Sequence, residues 1–201
     1  MRITVRHVHD TEPTWQPLHS GPACWIDFES ALVSGSALLI PQNEIEDLRQ
    51  QSEPQLSCET GYEAVRNLRL LRENESRRFS WTPLPERGDY QMTGCVSDIR
   101  KNARGTRIQT IDIQIVSQEP LPPYTLTPED LATLRAAAVS EIDRRQLHAI
   151  LRFLAMRQSE STCRFTLTGV DLAELASPLT LQEGDWLHFD IVRLAFYDEG
   201  Y

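Results

Sequence analysis

From residue 90 to residue 115, apolar and polar side chains alternate with the two-residue period of a strand. Tyr90, Met92, Gly94 and Val96 fall on one face against Gln91, Thr93, Cys95 and Ser97. After Lys101-Asn102-Ala103-Arg104-Gly105 the pattern resumes with Ile108, Ile111, Ile113 and Ile115. Two such runs around a polar, glycine-containing turn predict a β-hairpin with one buried and one wet face. The alternation breaks between Gln109 and Ile111, which predicts a bulge there. The same period marks strands over residues 2–9, where Ile3 and Val5 oppose Thr4 and Arg6, over 163–168, and over 186–196. Two shorter strands are expected at 24–28 and 37–40.

Helical signals are fewer. Pro41 followed by Asn43-Glu44-Ile45-Glu46 gives an N-cap with acids in the first turn and predicts a short helix to about Gln51. Val65, Leu68 and either Leu71 or Arg72 recur at spacings of three to four, which predicts a second helix over 61–73. Thr127-Pro128-Glu129-Asp130 opens a helical stretch over 128–158. Its two apolar stripes, Leu131/Leu134/Ala138/Ile142 and Leu147/Ile150/Leu151/Leu154, are rotated by roughly 140° at the helical period, so a kink or break near 140–145 is expected. One or two helical turns are expected over 169–176. Two prolines, Gly88 and several charges make 76–89 the expected boundary between a mixed α/β part, 1–85, and an antiparallel β-rich part, 86–201, with one compact unit as the alternative. The fold class expected is α+β, an antiparallel sheet or partial Greek-key barrel with an inserted kinked helix or helix pair.

A hydrophobic content of 40 % and a charged content of 24 % over 201 residues support a folded core without disulfide or metal staples. No apolar run reaches the roughly 18 residues of a membrane-spanning helix, and the first residues lack a signal-peptide pattern. Cys24, Cys58, Cys95 and Cys163 form no CxxC pair and read as reduced thiols. A soluble, cytoplasmic protein without cofactor is the expectation.

The formal charge of −9 opposes generic binding to polyphosphate chains. Local charge runs the other way: Arg100, Lys101, Arg104 and Arg107 crowd the hairpin tip, with Asp98 as the nearby acid, and Arg66, Arg69 and Arg72 form a second group. Lys101 is the one lysine in the chain. Arginine suits fixed, bidentate ion pairs better than lysine does. His7-x-His9 has the outline of a metal pair on one strand face, yet His19, His148 and His188 offer no ligand spacing to complete it. No phosphate-binding glycine loop, nucleophile elbow or HExxH metal motif occurs, and no helix-turn-helix pattern survives inspection around Ser140.

The hairpin with Gly94, its basic loop, the intervening helix and the later strands resemble a Greek-key barrel of the oligonucleotide- and oligosaccharide-binding kind over residues 89–196. In that resemblance the long helix follows the second strand rather than the third. The resemblance implies that Arg100, Lys101, Arg104 and Arg107 sit on a ligand-facing loop.

These readings give a non-catalytic, protein-binding subunit, such as an adaptor, assembly component or immunity-type inhibitor, whose partner is a protein, basic for an inhibitor of this charge. A first alternative is a single-stranded nucleic-acid binder using residues 98–107, with Trp81, Tyr90 or Phe165 as exposed stacking platforms. A second is a metal-dependent hydrolase through His7 and His9.

Overall fold

A computed structural model describes residues 1–11, 13, 22–41, 45–117, 162–175 and 177–198. Within them the protein is mostly antiparallel sheet with very little helix. Nine strands follow in order: β1 (Arg2–Val8), β2 (Cys24–Glu29), β3 (Ser34–Ile40), β4 (Gln55–Leu70), β5 (Ser80–Pro83), β6 (Tyr90–Lys101), β7 (Ile108–Val116), β8 (Thr162–Thr168) and β9 (Trp186–Asp198). One short helix, α1 (Ile45–Gln50), joins β3 to β4, and two 3-10 turns, Asp171–Glu174 and Pro178–Thr180, join β8 to β9. The helical stretch expected over 128–158 lies outside the described residues. None of the described helices is long and apolar enough to cross a membrane.

All nine strands belong to one sheet, organised around the long β4–β9 ladder. On one side β1, β2 and β3 form a meander that returns to it twice: β1 pairs with the start of β4, and β3 pairs in parallel with the end of β9. The pairings β1–β2–β3–β9–β4–β1 therefore close a ring of five strands. On the other side β6 pairs with the first half of β9, β7 with β6, and β8 with β7. This second set curls back on β4 without a ladder. The Thr60 hydroxyl donates to the Arg164 carbonyl at 2.9 Å, and the Tyr62 hydroxyl lies 2.9 Å from the Thr166 carbonyl and 2.9 Å from Asp171 Oδ2. Burial and the Asp171 carboxylate push the Tyr62 phenol well above its ordinary range.

Strand β9 changes partner in mid-course. Residues Trp186 to Ile191 face β6 and residues Ala195 to Tyr197 face β3. Between them Arg193 takes a left-handed φ of 51°, a conformation that side-chain-bearing residues adopt at a cost. The turn before β6 fills the gap. Asp89 Oδ1 accepts the Arg193 N–H at 2.9 Å, the Gly88 carbonyl accepts the Leu194 N–H at 2.8 Å, and the Arg193 guanidinium reaches Glu63 at 2.8 Å. Gly88 has φ 81°, and a β-carbon on it would stand 2.8 Å from the Trp25 ring. Residues 76–89, read from sequence as a boundary, thus carry β5 and the turn that seals this pivot.

The core runs through both sides of the ladder without interruption. Ile3, Ile26, Phe28 and Leu39 belong to the same buried cluster as Ile111, Ile113, Phe165 and Leu167. A file of aromatic rings links them: Phe196 to Phe28 at 4.8 Å between centroids, Phe28 to Tyr90 at 6.5 Å, Tyr90 to Trp81 at 5.9 Å and Trp81 to Phe165 at 5.2 Å. The Tyr90 hydroxyl donates to the Ser36 carbonyl at 2.7 Å, beside Gly35, where a β-carbon would collide with it. Each such ring, withdrawn from water, contributes roughly 1.5–3 kcal/mol.

The helix expected over 61–73 is part of strand β4 instead. The reason is a bulge: Arg66 pairs with Asp190 and Arg69 with His188, leaving one extra residue on β4, and Asn67 adopts φ 54°. The extra residue turns the inward spacing from two to three, so that Val65 and Leu68 are both buried in a strand while imitating helical periodicity. The bulge expected near Gln109 is present, since Arg100 pairs with Thr110 and Lys101 with Ile108.

If the pivot organises both sides of the ladder, Asp89→Ala lowers the free energy of unfolding by about 1–3 kcal/mol, because it leaves a part-buried amide in a strained backbone without its acceptor. Gly88→Val lowers it at least as far. Urea denaturation of the three proteins measures this, and a loss below about 0.3 kcal/mol for Asp89→Ala contradicts it.

Candidate binding surface

The basic hairpin expected from sequence is the β6–β7 hairpin, and its tip is a built structure. Asn102 organises it: its backbone N–H donates to the Arg107 carbonyl at 2.9 Å, and its carbonyl accepts the Gly105 N–H at 2.8 Å. Its side-chain Oδ1 accepts the N–H groups of Thr106 at 2.9 Å and Arg107 at 3.2 Å. Gly105 supplies the φ of 65° that the turn requires. The structure brings Arg100, Lys101, Arg104 and Arg107 together here, all exposed. Arg100 reaches Asp98 at 3.2 Å. For Lys101, Arg104 and Arg107, no carboxylate among the described residues stands within ion-pair distance.

The aromatic residues expected beside them are elsewhere. Trp81 is 7 %, Tyr90 1 % and Phe165 0 % exposed, so the expectation of stacking platforms on the surface is corrected. Their rings form the file that fills the junction between the two sides of the ladder, where removing them from water is worth more than presenting them to it. Trp25 is buried as well, with the Arg87 guanidinium 4.8 Å from its ring centre.

Sequence reading missed a polar cluster on the outer face of β4, β9 and β6. Register aligns Arg69, His188 and Thr93 in one row, and Arg66, Asp190 and Gln91 in the next. The Thr93 hydroxyl lies 2.9 Å from His188 Nδ1, and Asn67 Nδ2 donates to Asp190 Oδ2 at 2.5 Å. Arg69 reaches Glu75 at 2.7 Å. The Arg72 amide and the Arg69 guanidinium hold the Glu75 carboxyl below its ordinary range. Burial, then the charge of Arg69, holds His188 below its ordinary pKa of 6.5. Thr93 is 6 % exposed, so its pairing with His188 ties β6 to β9 rather than presenting a hydroxyl to solvent. The alternation of β9 placed His188 and Asp190 on one face, but which residues of β4 and β6 meet them depends on register, which a single sequence does not display.

At the HxH motif, His9 Nε2 lies 2.9 Å from Asp27 Oδ2, and the His7 ring stands edge-on to His9 at 4.5 Å. Burial raises the Asp27 pKa, but hydrogen bonds from Ser36 and His9 outweigh it and leave the carboxyl below its ordinary range. Among the described residues no group of three or more His, Cys, Asp or Glu side chains could hold a metal ion. Burial pushes the Cys24 thiol up to about 11 and the Cys163 thiol up to about 12, which makes both poor nucleophiles. A cleft of about 420 Å³ between the β2–β3 turn and β5 has Glu29 as the one charged lining residue among the described residues, already paired with Arg6 at 2.6 Å.

His188 yields a pH prediction. Its folded pKa lies below its unfolded one, so the unfolded chain binds the proton more readily. The contribution to stability is therefore complete above about pH 7 and is lost as pH falls through 6.5 towards the folded value. Thermal unfolding between pH 7.5 and 5 shows a decline that His188→Gln flattens; an unchanged slope in that variant contradicts the assignment. Comparison with models of protein families, with curated proteins and with solved structures found no match to this chain.

Proposed function

We propose that this protein is a non-catalytic, protein-binding subunit that engages an acidic surface of its partner through the tip of the β6–β7 hairpin. The observation that carries the reading is the exposure of Lys101, Arg104 and Arg107 with no carboxylate among the described residues in ion-pair reach, on a tip fixed by Asn102, in a chain of net charge −9. A rigid cluster of cations on an otherwise acidic molecule orients a partner, speeds encounter and selects for carboxylates. The partner chemistry is thereby the reverse of the one that net charge alone suggests.

The five-strand ring supports a binding role at the level of fold. A three-strand meander, a short helix between the third and fourth strands, and a third strand parallel to the last resemble the connectivity of oligonucleotide- and oligosaccharide-binding barrels. The strands that carry this likeness are β1 to β4 and β9, rather than residues 89–196 alone. Fold likeness does not assign a ligand. Single-stranded nucleic acid remains the second reading because of the four cations, but binding to it relies on stacking, and Trp81, Tyr90 and Phe165 are buried. Cys24, Cys95 and Cys163, whose thiols burial pushes up, support the reading of a reducing, cytoplasmic setting.

The test compares wild type with Lys101→Glu/Arg104→Glu/Arg107→Glu at matched thermal stability. Cross-linking in extracts of the source cells, followed by mass spectrometry, is expected to place a partner's acidic segment on the hairpin tip of wild type and at least tenfold less of it on the variant. Fluorescence anisotropy with labelled single-stranded DNA and RNA over a salt series is expected to show no binding tighter than about 10⁻⁴ M, the weak end of non-specific affinity. Micromolar, salt-sensitive oligonucleotide binding lost in the variant would replace this reading with the nucleic-acid one.

A further inference from the structure

The structure points to a docking surface larger than the hairpin tip, and we infer that it takes an acidic amphipathic segment of a partner protein; this rests on the protein-binding reading above. Strand directions supply the argument. Strands β4 and β6 both run antiparallel to β9, and β6 and β8 both run antiparallel to β7. All three therefore point the same way, and the chain leaves β4, β6 and β8 at one end of the molecule. Leu70 is the last residue of β4, the hairpin tip follows β6, and Val170 follows β8 by two residues. Leu179 lies in the connection that returns from that end to Trp186, whose carbonyl accepts the Leu71 N–H at 2.8 Å.

Exposure singles out the same residues. Among the described residues the exposed large hydrophobic side chains are Leu70 at 44 %, Val170 at 77 % and Leu179 at 51 %. Every other large apolar group of the nine strands is buried or partly covered, so the grouping at one end is not a general property of the surface. Single exposed apolar residues need no explanation, whereas a set confined to one end, rimmed by charge, has the composition of an interaction site.

Charge completes the description of the occupant. At this end three of the carboxylates are committed internally. Asp98 pairs with Arg100, Asp171 accepts the Thr168 N–H at 2.7 Å and its hydroxyl at 2.8 Å, and Asp185 accepts the Gln182 N–H at 2.8 Å. Among the described residues Glu73 and Glu183 are the exposed acids left there, against Arg72, Arg77 and Arg78 beside Glu73 and the three cations of the hairpin. Lys101, Arg104 and Arg107 thus set the local sign. A segment bearing aliphatic side chains on one face and carboxylates on the other matches both features. Aliphatic side chains offer nucleobases no stacking face, and the overall charge of −9 opposes an anionic bilayer and a second copy of the chain alike.

The test uses the full chain and four probes: a fluorescein-labelled 16-residue helix-forming peptide with leucines on one face and glutamates on the other, a polyglutamate of equal charge, a 16-nucleotide single strand, and phosphatidylserine vesicles. Wild type is expected to bind the amphipathic peptide at least tenfold more tightly than polyglutamate at 0.15 M salt. Val170→Ser/Leu179→Ser, at exposed positions that leave the core intact, is expected to remove that preference, and Lys101→Ala/Arg104→Ala/Arg107→Ala to weaken both peptides at least tenfold. If the apolar variant leaves the preference unchanged while the cation variant weakens binding, the larger surface is wrong and the hairpin reading stands. If neither peptide binds, or the cation variant binds as wild type does, both fail. Tighter binding to vesicles or to the single strand, or a sedimenting dimer that Val170→Ser/Leu179→Ser dissociates, overturns the assignment of the occupant. So does a drop in thermal stability of the apolar variant, because it shows those side chains to be covered by the chain itself.

Discussion

The change of partner in β9 at Arg193 is the constraint on which the architecture rests. A strand has two edges, and β9 gives one to β4 along nearly its whole length while dividing the other between β6 and β3. Two strands arriving from different directions cannot share an edge without leaving backbone groups unpaired between them, and an unpaired buried amide costs about 1–3 kcal/mol. The turn at Gly88 and Asp89 supplies the missing acceptors, and the left-handed residue lets β9 bend as it passes. The two sides of the ladder are thereby joined through backbone hydrogen bonding and a common core rather than through a linker.

Much of this was legible in the sequence, and the parts that were not share one physical origin. Alternation identified β1, the β6–β7 hairpin, β8 and β9, because each has one face in the core and one towards solvent, and a broken alternation located the bulge at Gln109. Strand β4 failed the same test because the bulge at Asn67 reset its inward spacing to three, a period shared with helices. The pairing of β3 with β9 joins segments from opposite ends of the chain, and nothing local announces it. Tyr90 and Trp81 show the same limit from another direction. Their residue types suit exposed binding platforms as well as cores, and only the closing of both sides around them decides in favour of the core.

The binding surface divides likewise. The density of cations at the hairpin tip was visible as composition, and so was Asp98 as a compensating acid. That Asp171 and Asp185 are consumed by local turns depends on the fold of the β8–β9 connection, and that Leu70 and Val170 lie where β4 and β8 end on the same side follows from strand direction. A rigid sheet with chemically varied connections at one end is a common way for a protein to bind without catalysing: the strands fix the geometry and the connections supply the contacts. The weak coupling of surface charge to stability leaves such connections open to change without loss of the fold.

The claim most in need of a direct test is that the pivot at Arg193 makes the two sides of the ladder one cooperative unit. Native-state hydrogen exchange across a urea series, read by mass spectrometry, measures the opening free energy of each strand separately. The account predicts that peptides from β2 and β3 and peptides from β7 and β8 open with one free energy and one dependence on urea. Two distinct opening free energies, with β1 to β3 exchanging while β7 and β8 remain protected or the reverse, would contradict it.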